Sequence, residues 1–138
     1  MADRLDKETR SYIMSRIRGK NTKPEIVVRK FLHAEGFRFR INVKKLAGTP
    51  DIVLPKHKSI VNVHGCFWHG HNGCRHFKLP TTRQEWWEEK ISRTKIRDKK
   101  NEEILSQAGW KVFTVYECQL KKEVIVNTLT NLMKQLQE

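Results

Sequence analysis

The chain has 138 residues, room for one ordinary domain, and 38% of them are hydrophobic, enough for a core and against wholesale disorder. A formal net charge of +13 points to polyanionic partners, and no apolar run approaches the ~18 residues of a membrane span. An odd number of cysteines and a polar start at Met1–Asp6 predict neither a disulfide scaffold nor a secretory signal, so the expectation is one soluble, intracellular domain over residues 1–138.

The first helical pattern runs from about Lys7 to Arg18, with Ile13 and Ile17 on one face and Gly19 as its stop. Thr22-Lys23-Pro24-Glu25 reads as a capping box with an early proline. The helix it opens buries Val27, Val28, Phe31 and Leu32 and ends at Gly36. Period-two alternation follows, with Phe37, Phe39, Ile41 and Val43 on one face and Arg38, Arg40 and Asn42 on the other. A turn over 46–50 leads into a strand at Asp51–Leu54, stopped by Pro55, and Lys56-His57-Lys58 turns into a second strand at Ser59–His64. Strand geometry places Asp51 with Val53 on one face of the first, and Ile60, Asn62 and His64 together on the second.

An irregular segment over 65–81 precedes a second capping box, Thr82-Arg83-Gln84-Glu85, which opens a helix reaching Ala108 with Gly109 as its cap. A strand at Trp110–Tyr116 and a last helix with Ile125, Leu129, Leu132, Met133 and Leu136 on one face complete the chain. The order predicts an α/β or α+β domain with a central mixed sheet and helices on both sides.

The positive charge is concentrated. Six cations (Lys90, Arg93, Lys95, Arg97, Lys99 and Lys100) fall within 11 residues. A membrane-surface helix needs a wide apolar face, and this stretch offers only Ile91 and Ile96, so nucleic acid is the better-matched polyanion.

Four of the six histidines (His64, His69, His71, His76) and two of the three cysteines (Cys66, Cys74) lie close together, and Cys118 follows the last strand. Three thiolates and one imidazole would close a tetrahedral zinc site with no open position, a structural one. Such a clip offsets the entropic cost of ordering an irregular loop; the competing reading is buried apolar cysteines and surface histidines. Spacing alone does not choose the histidine, although His71 is geometrically the easiest. Phe67-Trp68 lies in the same loop and Trp86-Trp87 opens the next helix. Aromatic rings amid cations suit stacking on bases or wedging between them, with core packing as the alternative.

Asp51 heads a short apolar strand, and Asn62 and His64 end its neighbour. Metal-dependent nucleases use such adjacent strands to hold Mg²⁺, yet an aspartate after proline is also an ordinary turn residue, and the capping box accounts for Glu25. No second acid stands at Asn62 and no lysine at His64. His64 and His69 remain open as surface groups, zinc ligands or general bases.

Gly48-Thr49-Pro50-Asp51 and the string His64-Gly65-Cys66-Phe67-Trp68-His69-Gly70-His71-Asn72-Gly73-Cys74 resemble the very-short-patch repair (Vsr) DNA mismatch endonucleases. So do Thr82-Arg83-Gln84-Glu85-Trp86-Trp87 and the run Gly109–Cys118, and the likeness extends from Asp6-Lys7 to about Leu120. The resemblance implies a restriction-endonuclease-like PD-(D/E)xK core. It implies a Mg²⁺-dependent single-strand nick 5′ to the T of a T:G mismatch in double-stranded DNA, the product of 5-methylcytosine deamination. By resemblance Asp51 ligates Mg²⁺ with help from the Val63 backbone carbonyl, His69 helps activate water, and His64 and Glu25 support the centre. Cys66, His71, Cys74 and Cys118 match the family's structural Zn²⁺ ligands, with the gap between His71 and Cys74 one residue longer than the family pattern. Phe67, Trp68 and Trp87 match a wedge inserted beside the mismatch, and Lys90, Arg93, Lys95 and Arg97 would supply sequence-independent DNA affinity. A monomer in the bacterial cytoplasm, at the nucleoid, with other mismatch-repair proteins as partners, completes the expectation. Two alternatives are a restriction-type endonuclease on matched sites and a zinc-stabilised DNA-binding module without catalysis.

Overall fold

The computed structural model describes residues 22–75 and 77–138. The helical pattern at Lys7–Arg18 and His76 lie outside the described residues. Helix α1 (Lys23–Ala34) opens as its sequence requires: the Thr22 hydroxyl accepts the Glu25 N–H at 3.4 Å. Pro24 sits in the first turn, where its missing N–H leaves no helical bond unmade. Val28 and Leu32 are fully buried and Phe31 is half-buried, whereas Val27 is exposed, contrary to expectation. It stands one position off the stripe that packs on the sheet.

The alternation at 37–43 yields only a two-residue strand, β1 (Arg40–Ile41), paired antiparallel with β2 (Ile52–Leu54). The physical cause is Asn42, whose φ of +49° breaks the extended backbone. Phe37 and Phe39 therefore join the main core, Ile41 stays exposed, and Val43 packs on the opposite face. A 3₁₀ turn at Pro55–His57, closed by left-handed Lys58, leads to β3 (Ser59–His64). After the segment 65–83, helix α2 (Gln84–Gln107) crosses over to β4 (Lys111–Tyr116), parallel to β3. A 3₁₀ turn at Glu117–Leu120 and α3 (Ile125–Gln137) follow. The sheet order is β1-β2-β3-β4, with β1–β2 and β2–β3 antiparallel and β3–β4 parallel, so the sheet is mixed, with helices on both faces.

The second capping box does not form. Arg83 takes the N-cap position at φ +56° without a side-chain cap, and the first helical bond runs from the Trp87 N–H to the Arg83 carbonyl. That left-handed residue redirects the chain, so the helix begins one residue past Thr82's reach.

The two faces of the sheet have different jobs. Ile52, Leu54, Val61, Val63 and Val115 pack with Val28 and Leu32 of α1 and Leu129, Leu132 and Leu136 of α3. Each such side chain contributes about 1.5–3 kcal/mol by leaving water. On the other face Val53 and Ile60 pack with Leu105 near the end of α2. Period two continues that same face through Asp51, Asn62, His64, Thr114 and Tyr116. One half of this face is thus apolar and closed, and the other polar and open beneath α2. Among the described residues no helix is long and apolar enough to cross a membrane.

Candidate active site and metal cluster

A groove of about 960 Å³ lies between the polar half of the sheet and α2. Asp51 stands on its floor at the head of β2. Its amide donates to Asn62 Oδ1 at 3.3 Å, and its Oδ2 accepts the Val63 N–H at 2.7 Å. Burial pushes the Asp51 carboxyl up to about 6; the Val63 amide, His69 and Arg29 pull it down, and the nearby Glu25 charge pushes it further up. Glu25 is 2% exposed, so the capping position also delivers a buried carboxylate, ion-paired to Arg29 at 2.8 Å. Two neighbouring carboxylates, one with raised proton affinity, form a donor set that a hard divalent cation would relieve.

His64, at the end of β3, stacks face to face on His69, with ring centroids 3.7 Å apart and planes 5° from parallel. Burial first, and the His69 charge second, lower the His64 pKa to about 4 against the pull of Asp98, so its imidazole is neutral at pH 7. Its Nδ1 is buried without a hydrogen-bond partner among the described residues. His69 Nδ1 lies 2.6 Å from Asp98 Oδ2 on α2. Donation of Nδ1–H to that carboxylate leaves Nε2 as the acceptor, the tautomer a general base requires. His64, His69 and Asp98 also lie close enough to share a metal ion. His69 Nδ1 is already engaged by Asp98, however, and a base with its orienting acid accounts for that contact.

The loop after β3 gathers the second cluster. Ligand atoms of Cys66, His71, Cys74 and Cys118 all lie within 4.8 Å of one another. Cys118 Sγ is 3.4 Å from His71 Nδ1, and the Cys118 N–H donates to Cys66 Sγ at 3.3 Å. Tetrahedral zinc with Zn–S near 2.3 Å separates its ligands by about 3.8 Å, so the set fits a closed four-ligand site. Burial raises the Cys66 thiol to about 12 and raises Cys118 as well, so a cation is what would hold them as thiolates. Gly73, at φ +74°, and the bond from the Cys74 N–H to the His71 carbonyl accommodate the two-residue gap between His71 and Cys74.

Beside the cluster, Phe67 meets Trp68 and Trp87 edge-on at 5.2 and 5.3 Å, and Trp68 lies 5.9 Å from Trp87. All three are half-buried, while Trp86 is exposed with Arg83 and Lys90 over its ring. Lys90, Arg93, Lys95 and Arg97 line the groove from α2. Lys95 donates to Asn72 Oδ1 at 2.7 Å, and Arg93 pairs with Glu89 one turn away.

Comparison with known proteins gives the family. The family model described as DNA mismatch endonuclease Vsr matches residues 2–75. The chain belongs to the Vsr family. It is 49% identical over 120 residues to the type II nicking enzyme V.XorIIP of Xanthomonas oryzae pv. oryzae, covering 87% of this chain and 88% of that one. To the type II nicking enzyme V.NmeAIP of Neisseria meningitidis serogroup A it is 44% identical over 139 residues, 100% and 99% of the two chains. To the DNA mismatch endonuclease Vsr of Escherichia coli it is 40% identical over 121 residues, 88% and 77%. As a Vsr family member the protein is an endodeoxyribonuclease, and DNA is its partner.

Within this Vsr-family site, the groove brings together Glu25, Asp51, His64 and His69, and the loop collects Cys66, His71, Cys74 and Cys118. Two residues escaped the sequence reading. Asp98 is the only acid in the cationic run 90–100, which is the signal that would have found it. Tyr116 reads as an ordinary strand residue, and nothing in its neighbourhood marks it.

Proposed function

We propose that the protein nicks one strand of double-stranded DNA 5′ to the T of a T:G mismatch, in a Mg²⁺-dependent reaction on a PD-(D/E)xK-like core. The observation that carries this reading is Asp51 on the same sheet face, and in the same groove, as the stacked His64–His69 pair. Asp51, with the Val63 carbonyl and support from Glu25, would hold the ion. When bound, Mg²⁺ supplies charge stabilisation to the phosphate and lowers the pKa of a water. His69 Nε2 takes the proton of the attacking water, with Asp98 stabilising the imidazolium that forms. The new P–O bond forms as the bond to the leaving sugar oxygen breaks in line, and that oxygen takes up a proton from water. His64, neutral and packed flat on His69, fixes the tilt of the base's ring, and Asp98 fixes its rotation.

The cysteine cluster would hold a structural Zn²⁺ through Cys66, His71, Cys74 and Cys118. Phe67, Trp68 and Trp87 form a rigid aromatic edge suited to opening the stack beside a wobble pair, which unstacks at lower cost than a matched one. Lys90, Arg93, Lys95 and Arg97 supply phosphate contacts.

The test uses end-labelled duplexes that differ only by T:G, T:A or C:G at one position, in several flanking sequences including cytosine-methylation sites. A single-strand nick beside T in the T:G duplex alone is the expected outcome. Equal cleavage of all three would make this a restriction-type enzyme, and binding without cleavage under every divalent ion would overturn the catalytic reading.

A further inference from the structure

Four aromatic rings run without interruption from the cysteine cluster to the groove. His71, one of the four clustered ligands, lies flat against Tyr116, with centroids 3.8 Å apart and planes 4° from parallel. Tyr116 in turn meets His64 edge to face at 5.7 Å and 78°. His64 then stacks on His69, which Asp98 holds from α2. The backbone enforces the middle contact, because His64 and Tyr116 are register partners on the parallel strands β3 and β4. Neighbours on one face of a sheet cannot separate without breaking the ladder between them.

We propose that Tyr116 is a positioning residue that transmits the order of the Cys/His cluster to the histidine pair. His64 needs such a buttress. Among the described residues its buried Nδ1 has no hydrogen-bond partner, so packing on Tyr116 and His69 is what steadies that side of its ring. Ring contacts fix the tilt and depth of an imidazole but not its rotation about its own normal; that rotation is fixed for His69 by Asp98. Tyr116 and Asp98 therefore hold the pair from opposite ends. A ligand such as His71, held at one nitrogen, offers Tyr116 a stiff flat wall, whereas a free loop histidine would not.

The inference rests on the nicking activity proposed above, and its test separates the two. Full-length Tyr116→Phe and Tyr116→Leu are compared with the parent for bound zinc, cooperative thermal unfolding, duplex affinity in Ca²⁺ and single-turnover nicking in Mg²⁺. Tyr116→Leu is expected to keep zinc and duplex affinity but to nick roughly 10- to 100-fold more slowly, the usual cost of losing an orienting contact. Tyr116→Phe, which preserves the ring, stays within about threefold of the parent by the same argument. In a His64→Gln background the Leu substitution should cost little more, because both act through one contact. The imidazole Cε1–Hε1 resonances of His64 and His69 should move in Tyr116→Leu and stay in place in Tyr116→Phe.

A full nicking rate in Tyr116→Leu, or additive losses in the double variant, would overturn the proposal. So would loss of zinc from Tyr116→Leu, which would make Tyr116 a scaffold of the cluster alone. If the parent protein nicks no duplex, the activity reading fails by itself. The histidine resonances then decide the positioning role, and unmoved signals in Tyr116→Leu would overturn it.

Discussion

A partly buried carboxylate that titrates near 6 is a liability to the metal-free fold and an asset to a cation site. Asp51's folded pKa lies above its ordinary value near 3.8, so between those two values the folded protein binds more protons than the unfolded chain. Its contribution therefore turns unfavourable as pH rises from about 4 to about 6. His64 has the opposite sign: its pKa falls from 6.5 to about 4, and its contribution improves as pH rises across that window. Asp51→Asn should then abolish nicking while raising the metal-free stability at pH 7.5, by at most about 3 kcal/mol at 1.36 kcal/mol per pKa unit. Thermal unfolding with and without Mg²⁺ checks this: the ion should stabilise the parent and not the variant. A variant less stable than the parent in EDTA would show that the carboxylate is a structural group. In the parent, the acid limb of the nicking profile should move to lower pH as Mg²⁺ is raised, because proton and ion compete for Asp51. Asp98→Asn should slow single-turnover nicking roughly 10- to 100-fold with duplex affinity intact, since the lost partner orients His69 without touching DNA phosphates. Position left Asp51, His64 and His69 open, and it was the family resemblance that singled them out; the structure brings all three into one groove. Asp98 was not legible in the sequence, because a 29-residue separation from His69 is set by how α2 crosses the sheet.

At the scale of elements, α2 decides the shape of the groove, and two glycines decide where α2 lies. A side chain at Gly48 would meet Asn101 at 2.7 Å, and one at Gly70 would meet Lys95 Cε at 2.4 Å and Ile91 Cγ2 at 2.6 Å. Both glycines have positive φ, so the loops beside Asp51 and His69 are in close contact with the helix. Gly70→Ala should cost roughly 2–4 kcal/mol, backbone strain and overpacking together, and slow nicking by shifting the adjacent His69. Gly73→Ala is the control: its φ is +74° with nothing within 4 Å, so it should cost only about 1–2 kcal/mol of strain. Equal destabilisation in the two variants, measured by denaturant unfolding, would mean that Gly70 does not seat the helix. The sequence pattern forecast α1, β2, β3, β4 and α3 because their apolar periods and stop signals agree with one another. It overextended β1 and placed a cap at Thr82 because left-handed turns at Asn42 and Arg83 overrode the local pattern. Arginine gives no sign of a positive φ, and asparagine gives a much weaker one than glycine.

For the molecule as a whole, the cysteine cluster joins chain segments 52 residues apart, tying the loop after β3 to the turn after β4. Cys118→Ser should lose the bound metal and several kcal/mol of stability, with nicking lost as a consequence; unchanged metal content by atomic absorption would exclude Cys118 as a ligand. The net charge of +13 acts over a longer range than any of these contacts. Cations that neutralise phosphates release counterions, so the logarithm of duplex affinity falls linearly with the logarithm of salt at about 0.9 per phosphate contact. Lys90→Gln and Arg97→Gln should each flatten that slope by about 0.9, and should weaken T:G and T:A duplexes alike. Arg93→Gln should flatten it less, because Arg93 already pairs with Glu89 on the free helix and must break that pair to reach a phosphate. Isothermal titrations over a salt series measure all three. A change in the T:G preference on losing any one of them would show that the helix reads the mismatch itself, leaving the aromatic edge of Phe67, Trp68 and Trp87 to open the stack rather than to choose the site.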